Sequence, residues 1–241
     1  MARISNGALS GALGNMVFYT MAGVGYVRSK PGKQIKRRNQ SFKLQSSSFG
    51  LVSKYGTRMI KELSRELLFT FGLKTYNQSR GWMRNQYFRY LDQPGWDIGD
   101  RGVDMCQLNQ ASDLRDFFGT RITVKDNGSG EIEFSIPSLN PKRDLKAPPL
   151  TDEVNLKFIL QSSAFGEESR HTKSVIEVQH FYYKDVLMPG KNIKLSCTGA
   201  KGDIVIAAVA VEFLVAGRRH STIETSPAWL PAAIVGMGRL K

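Results

Sequence analysis

Few residues in this 241-residue chain have both the type and the spacing to do chemistry. Asp97, Asp100 and Asp104 are a carboxylate group of the kind that holds Mg²⁺ or Ca²⁺ or works as acid and base. Their spacing is not that of an EF-hand loop, and Arg101 lies between them, so a solvated loop is the expectation. His171, His180 and His220 lack the short ligand spacing of compact zinc sites. Surface or half-buried histidines are expected. Cys106 and Cys197 form no Cys-x-x-Cys pair and read as two inert thiols. Ser162, Ser163, Ser169 and Ser174 sit in no Gly-x-Ser-x-Gly elbow. The lead "GALSGALGN" is neither a P-loop nor a dinucleotide fingerprint, so its glycines read as turns and close backbone packing. No cofactor is implied. Distant residues converge in folded chains, so spacing alone leaves the enzyme reading open.

Charge is the stronger signal. The formal net charge is +13, and it is not spread evenly: residues 1–92 hold 16 Lys or Arg against 3 acids, whereas residues 93–241 hold 18 of each. The first 61 residues carry 11 bases and no acid. Such repulsion is relieved when a partner or neighbouring subunit supplies negative charge. The contacts expected for an anionic partner are Arg28, Lys30, Lys33, Lys36, Arg37, Arg38 and Lys43. A second patch, Arg80, Trp82, Arg84, Tyr87 and Arg89, mixes bases with rings as a nucleic-acid surface does. The competing reading puts Trp82 and Phe88 in a core, with the arginines in solvent.

The elements that must position these groups follow from periodicity. Met16–Tyr19 and Tyr26–Val27, bracketed by glycines and stopped by Pro31, predict a small hairpin that leans on another element or subunit. From Arg38 to Phe71 apolar residues recur every three or four positions through Val52, Met59, Ile60, Leu63 and Leu67, predicting a helix in which Gly50 and Gly56 are weak points. A second helix is predicted over Lys74–Leu91, and Ser112 is the expected cap of a short one. After Gly119 the pattern is strand: "RITVKD" and "EIEFSI" around "NGSG", then "VNLKFILQSSAF", "SVIEVQHFYY", "NIKLSCTG", "DIVIAAVAVEFLV" and a weak "STIE". Val154, Leu156, Phe158 and Leu160 share one face, as do Val205, Ala207, Val209, Val211, Phe213 and Val215 in a strand expected to cross mid-sheet. "SPAWLPAAIVGMGRLK" at the C-terminus is expected to pack.

The fold class is therefore α+β: a small N-terminal hairpin and helical region followed by an antiparallel β-sandwich-like domain. The divisions are residues 1–37 (Gly-rich hairpin and basic arm), 38–118 (helical region and connector) and 119–241 (β domain). No run approaches 18 apolar residues and no signal-type apolar core follows Arg3, so no transmembrane segment is expected, and a location in the cytoplasm or in an intracellularly assembled complex is.

The opening "MARISNGALSGALGNMVFYTMAGVGYVRSKP" resembles that of an uncharacterised family of Bacteroidetes proteins. Its features fall here on Gly7, Gly11, Gly14, Val17, Gly23 or Gly25, Val27 and the Arg-Ser-x-Pro step at Arg28, Ser29 and Pro31. The resemblance covers about the first 60 residues, is looser beyond, and implies architecture rather than catalytic residues. The leading expectation is a non-enzymatic structural or assembly protein whose basic N-terminal region meets an anionic protein partner or a neighbouring copy. A nucleic-acid-binding protein is the alternative, and a β-sandwich binding a small ligand near Tyr182, Tyr183 or Trp96 is a third.

Overall fold

The computed structural model describes residues 3–5, 8–21, 24–30, 40–90, 105–128, 130–163, 172–197, 199, 202–217 and 221–240. The chain divides into two compact units, Met1–Gln45 and Ser46–Lys241.

The first unit holds an antiparallel meander of β1 (Arg3–Ser5), β2 (Ala8–Leu13), β3 (Met16–Met21) and β4 (Val24–Ser29), in that order across the sheet. The expected hairpin is its β3–β4 half, where Met16 pairs with Ser29 and Met21 with Val24. The Gly-rich lead extends it by two strands. Gly14, at φ +58, supplies the left-handed residue that turns β2 into β3.

The second unit is layered. Its large antiparallel sheet runs β5 (Cys106–Gln107), β13 (Ala232–Arg239), β11 (Ile204–Val215), β8 (Thr151–Ser163) and β9 (Thr172–Tyr182), with β12 (Thr222–Ile223) paired to the end of β11. A smaller sheet orders β10 (Lys191–Ser196), β7 (Glu131–Ile136) and β6 (Thr123–Asp126). Helices α1 (Gln40–Leu63) and α2 (Leu73–Tyr90) are the long ones; α3 (Leu114–Phe117) and α4 (Pro141–Asp144) are single turns. The architecture is α+β, mostly β, as the strand pattern implies.

The two-residue period of a strand builds both cores at once. On β11, Val205, Ala207, Val209, Val211 and Phe213 point into a core shared with the small sheet, where Phe134 of β7 meets Phe158 of β8 edge-on at 5.3 Å. The alternate residues Ile204, Ile206, Ala208 and Ala210 point the other way, into a second core with Val52, Met59, Ile60 and Leu63 of α1 and Met83 and Tyr87 of α2. A strand buried on both faces reads as a continuous apolar run, and β11 is one: Ile204 to Phe213 are all buried. Truncating the fully buried Phe213 to alanine removes about 3–5 kcal/mol on general grounds.

Several expectations change in detail. The first helix ends at Leu63 rather than Phe71, because Arg65 and Glu66 turn back onto the Glu62 and Leu63 carbonyls in tighter i,i+3 bonds. It runs unbroken through Gly50 and Gly56, and a Cβ on Gly56 would lie 3.5 Å from Met83 Sδ, so that glycine sits where α2 crosses closely. Ser112 is not a cap: its hydroxyl donates to the Pro227 carbonyl, and Asp113 caps α3 by accepting from the Arg115 N–H. Residues 105–112, unreadable as an element, form the edge strand β5 and a loop pinned by Asn109, whose side-chain amide donates to the carbonyls of Pro227 and Leu230. The C-terminal segment is a strand, β13, between β5 and β11.

Candidate functional site

The basic candidates whose side chains are described fall on two elements, the N-terminal sheet and α2. On the N-terminal sheet, Val17 and Tyr19 of β3 share a face with Arg28 and Tyr26 of β4, because pairing is Tyr19 to Tyr26 and Val17 to Arg28. Tyr19 and Tyr26 stack at 5.6 Å, and the Arg28 guanidinium lies 5.6 Å from the Tyr19 ring centre, a diagonal cation–π contact. The arginine is thereby held in place on an exposed strand: every residue of β4 is exposed. Lys30 follows, exposed, its N–H donating to the Asn15 carbonyl at 2.5 Å. Lys33, Lys36, Arg37 and Arg38 lie outside the described residues, and Lys43 is placed only as part of the α1 backbone.

None of the described side chains of this sheet, at residues 10–20 and 24–30, is buried. Leu13, Met16, Tyr19, Val24, Tyr26 and Val27 are all exposed large hydrophobics, with Leu13 and Val27 at 57%. The unit around them has eight bases and no acid in its 45 residues.

The second basic group divides along α2. Thr75, Ser79, Met83, Gln86 and Tyr87 form its buried face, and Trp82 packs against the same core. Tyr87 is 7% exposed, with the Arg239 guanidinium 5.7 Å from its ring. The two rings are therefore structural rather than stacking platforms. Phe88 and Arg89 belong to the last turn of α2, and their side chains lie outside the described residues. Arg80 and Arg84 instead flank the buried face, with Asn77 and Gly81 at i, i+3, i+4 and i+7 spacing, and together with Ser53 of α1 these residues line a groove of about 150 Å³. Arg80 Nη2 donates to Ser53 Oγ, joining residues 27 apart in sequence. Arg80 Nε is buried and has no acceptor; a buried donor left in that state costs about 1–3 kcal/mol. Sequence reasoning singled out the two arginines but missed Ser53 and the groove, since a serine between apolar helix positions carries no signal of its own.

The other chemical candidates that fall among the described residues do not assemble. Among the described residues, no three His, Cys, Asp or Glu lie close enough to hold a metal. Asp97, Asp100, Asp104, Trp96, His171, His220 and Ser169 lie outside the described residues. His180 Nε2 pairs with Glu153 Oε2 at 2.7 Å across β8 and β9. Both cysteines are free thiols. Burial pushes Cys106 up to about 11, against the opposing pull of its hydrogen bond to Ser79 Oγ, and burial likewise raises Cys197. Both are protonated and poor nucleophiles at neutral pH. Tyr182 is exposed on the edge strand β9, while Tyr183 packs on the sandwich core and donates to the Leu145 carbonyl at 3.4 Å. No helix among the described residues is long and apolar enough to cross a membrane. No protein-family model, no curated protein and no solved structure matches the chain.

Proposed function

We propose that the protein is a structural or assembly component whose N-terminal sheet and basic linker dock on an anionic partner or on a neighbouring copy. One observation carries this reading: a four-stranded sheet whose described side chains are all at least partly exposed, among them six large hydrophobics. Strands whose described side chains bury so little gain little of the burial that stabilises sheets, and open edges with exposed apolar residues are surfaces that proteins normally cover. Charge gives the cover its character. With eight bases and no acid in the unit, a negatively charged surface relieves the repulsion and steers the encounter.

The test is light scattering after size exclusion, on the full chain purified from its native host and on a form lacking residues 1–38, at low and high salt. The full chain is expected to run as an assembly or with a bound partner at low salt, to dissociate in part as salt screens the contact, and to become monomeric on truncation. A monodisperse monomer for both forms, with nothing copurifying, overturns the proposal. Nucleic acid recovered with the full chain alone would identify the anionic partner as a polynucleotide, with affinity falling steeply in salt.

A further inference from the structure

We propose that the groove between α1 and α2 is a binding site for a phosphoryl group, as inorganic phosphate or the terminal phosphate of a small monoester. Among the described residues its lining is Ser53, Asn77, Arg80, Gly81 and Arg84, two guanidiniums with no carboxylate. Guanidinium forks suit tetrahedral oxyanions because several N–H donors lie in one plane and the charge persists at any physiological pH. Arg80 donates from Nη2 to Ser53 Oγ, which fixes the guanidinium at the groove, and because its Nε is buried a ligand would be met by the terminal nitrogens. Ser53 Oγ, having accepted from Arg80, retains its own proton to give. Gly81 opens the floor: nothing lies within 4 Å of where its Cβ would stand.

Size sets the ligand class. A groove of about 150 Å³ is well below the ~300–1,000 Å³ of sites that enclose drug-sized molecules, so it encloses an oxyanion rather than a whole nucleotide. The wider field agrees, since residues 46–90 hold eight bases against Glu62 and Glu66 alone. This site involves no residue of the N-terminal sheet and stands or falls separately from the assembly reading.

The experiment is an NMR titration of the ¹⁵N-labelled full chain with inorganic phosphate, replacing chloride at constant ionic strength, and in parallel with glycerol 3-phosphate. Saturable shifts are expected at the Arg80 and Arg84 Nε–H signals and at the amides of Asn77 and Gly81. The tighter of the two ligands then identifies the source as free phosphate or monoester. Arg84→Gln is expected to weaken binding about tenfold, and Gly81→Glu, which sets a carboxylate in open space on a helical backbone, to abolish it. Lys74→Gln, elsewhere on α2, should leave it unchanged. The proposal is overturned if shifts fail to saturate with both ligands, or if Arg84→Gln and Gly81→Glu bind as tightly as the parent. Should Gly81→Glu fail to fold, Arg84→Gln alone decides.

Discussion

Lys157 and Glu212 meet at 2.8 Å on the helix-facing side of the large sheet, their side chains only 17% and 8% exposed. Lys157 Nζ also donates to the Glu66 carbonyl, just past the end of α1, so one ammonium ties two strands to a chain turn. A buried ion pair of this kind is weak evidence for stability, because desolvation offsets most of the attraction, but removing one member leaves an uncompensated charge. Lys157→Met is therefore expected to destabilise the fold by about 3–5 kcal/mol, and Lys157→Met with Glu212→Leu to recover most of that loss. Chemical denaturation of the single and double variants measures it. Equal losses in both would show that the Glu66 contact, not the stranded carboxylate, is what matters. The sequence gives no warning of this pair: a lysine and a glutamate in alternating strands read as solvent-facing, and only helix coverage of that face buries them. Arg80 and Ser53 are hidden for the same reason, since their meeting depends on how α1 and α2 cross.

At the level of elements, what was legible tracks how regular each element is. The two-residue register of β8 and β11 persists along both strands, so the residues of their sandwich faces were readable one by one, and the stripe from Val52 to Leu67 names buried α1-side residues correctly. Strand β13 was not readable because it is bulged. Ala207 pairs with Gly236 but Ala208 with Ile234, leaving Val235 as an extra residue. The bulge places Ile234 and Met237, three apart, in the same core, which defeats a period of two. Two glycines hide the strand further. In β2 the same effect operates, since glycine suppresses the strand signal while backbone pairing to β3 supplies it. Glycine positions also separate by sign. Gly81→Ala, in open space within α2, should raise stability by ~0.5–1 kcal/mol. Gly130→Ala should lower it by about 1–3 kcal/mol, because φ is +80 there and the new Cβ would stand 3.2 Å from the Cys197 carbonyl oxygen. Thermal denaturation of the two variants should shift in opposite directions; a common direction would contradict the local geometry at one of them.

For the whole molecule, charge and burial divide differently. Among the described residues, every member of the two hydrophobic cores belongs to the second unit, while the first unit carries eight of the bases and none of the acids. Residues that bury nothing contribute little to the area exposed on unfolding, and the denaturant slope scales with that area. Deleting residues 1–38 removes about a sixth of the chain's length. It is nevertheless expected to leave the urea m-value within about 10% and the Tm of the monomeric form within ~3 °C. What the deletion should remove is the salt-dependent association and eight minus one of the unit's bases, since only Lys43 remains. Paired urea and thermal melts at high salt, where both forms are monomeric, isolate the stability effect from mass action. A fall in Tm above about 10 °C, with a matching drop in m, would mean that the N-terminal sheet stabilises its own chain rather than a contact with another molecule.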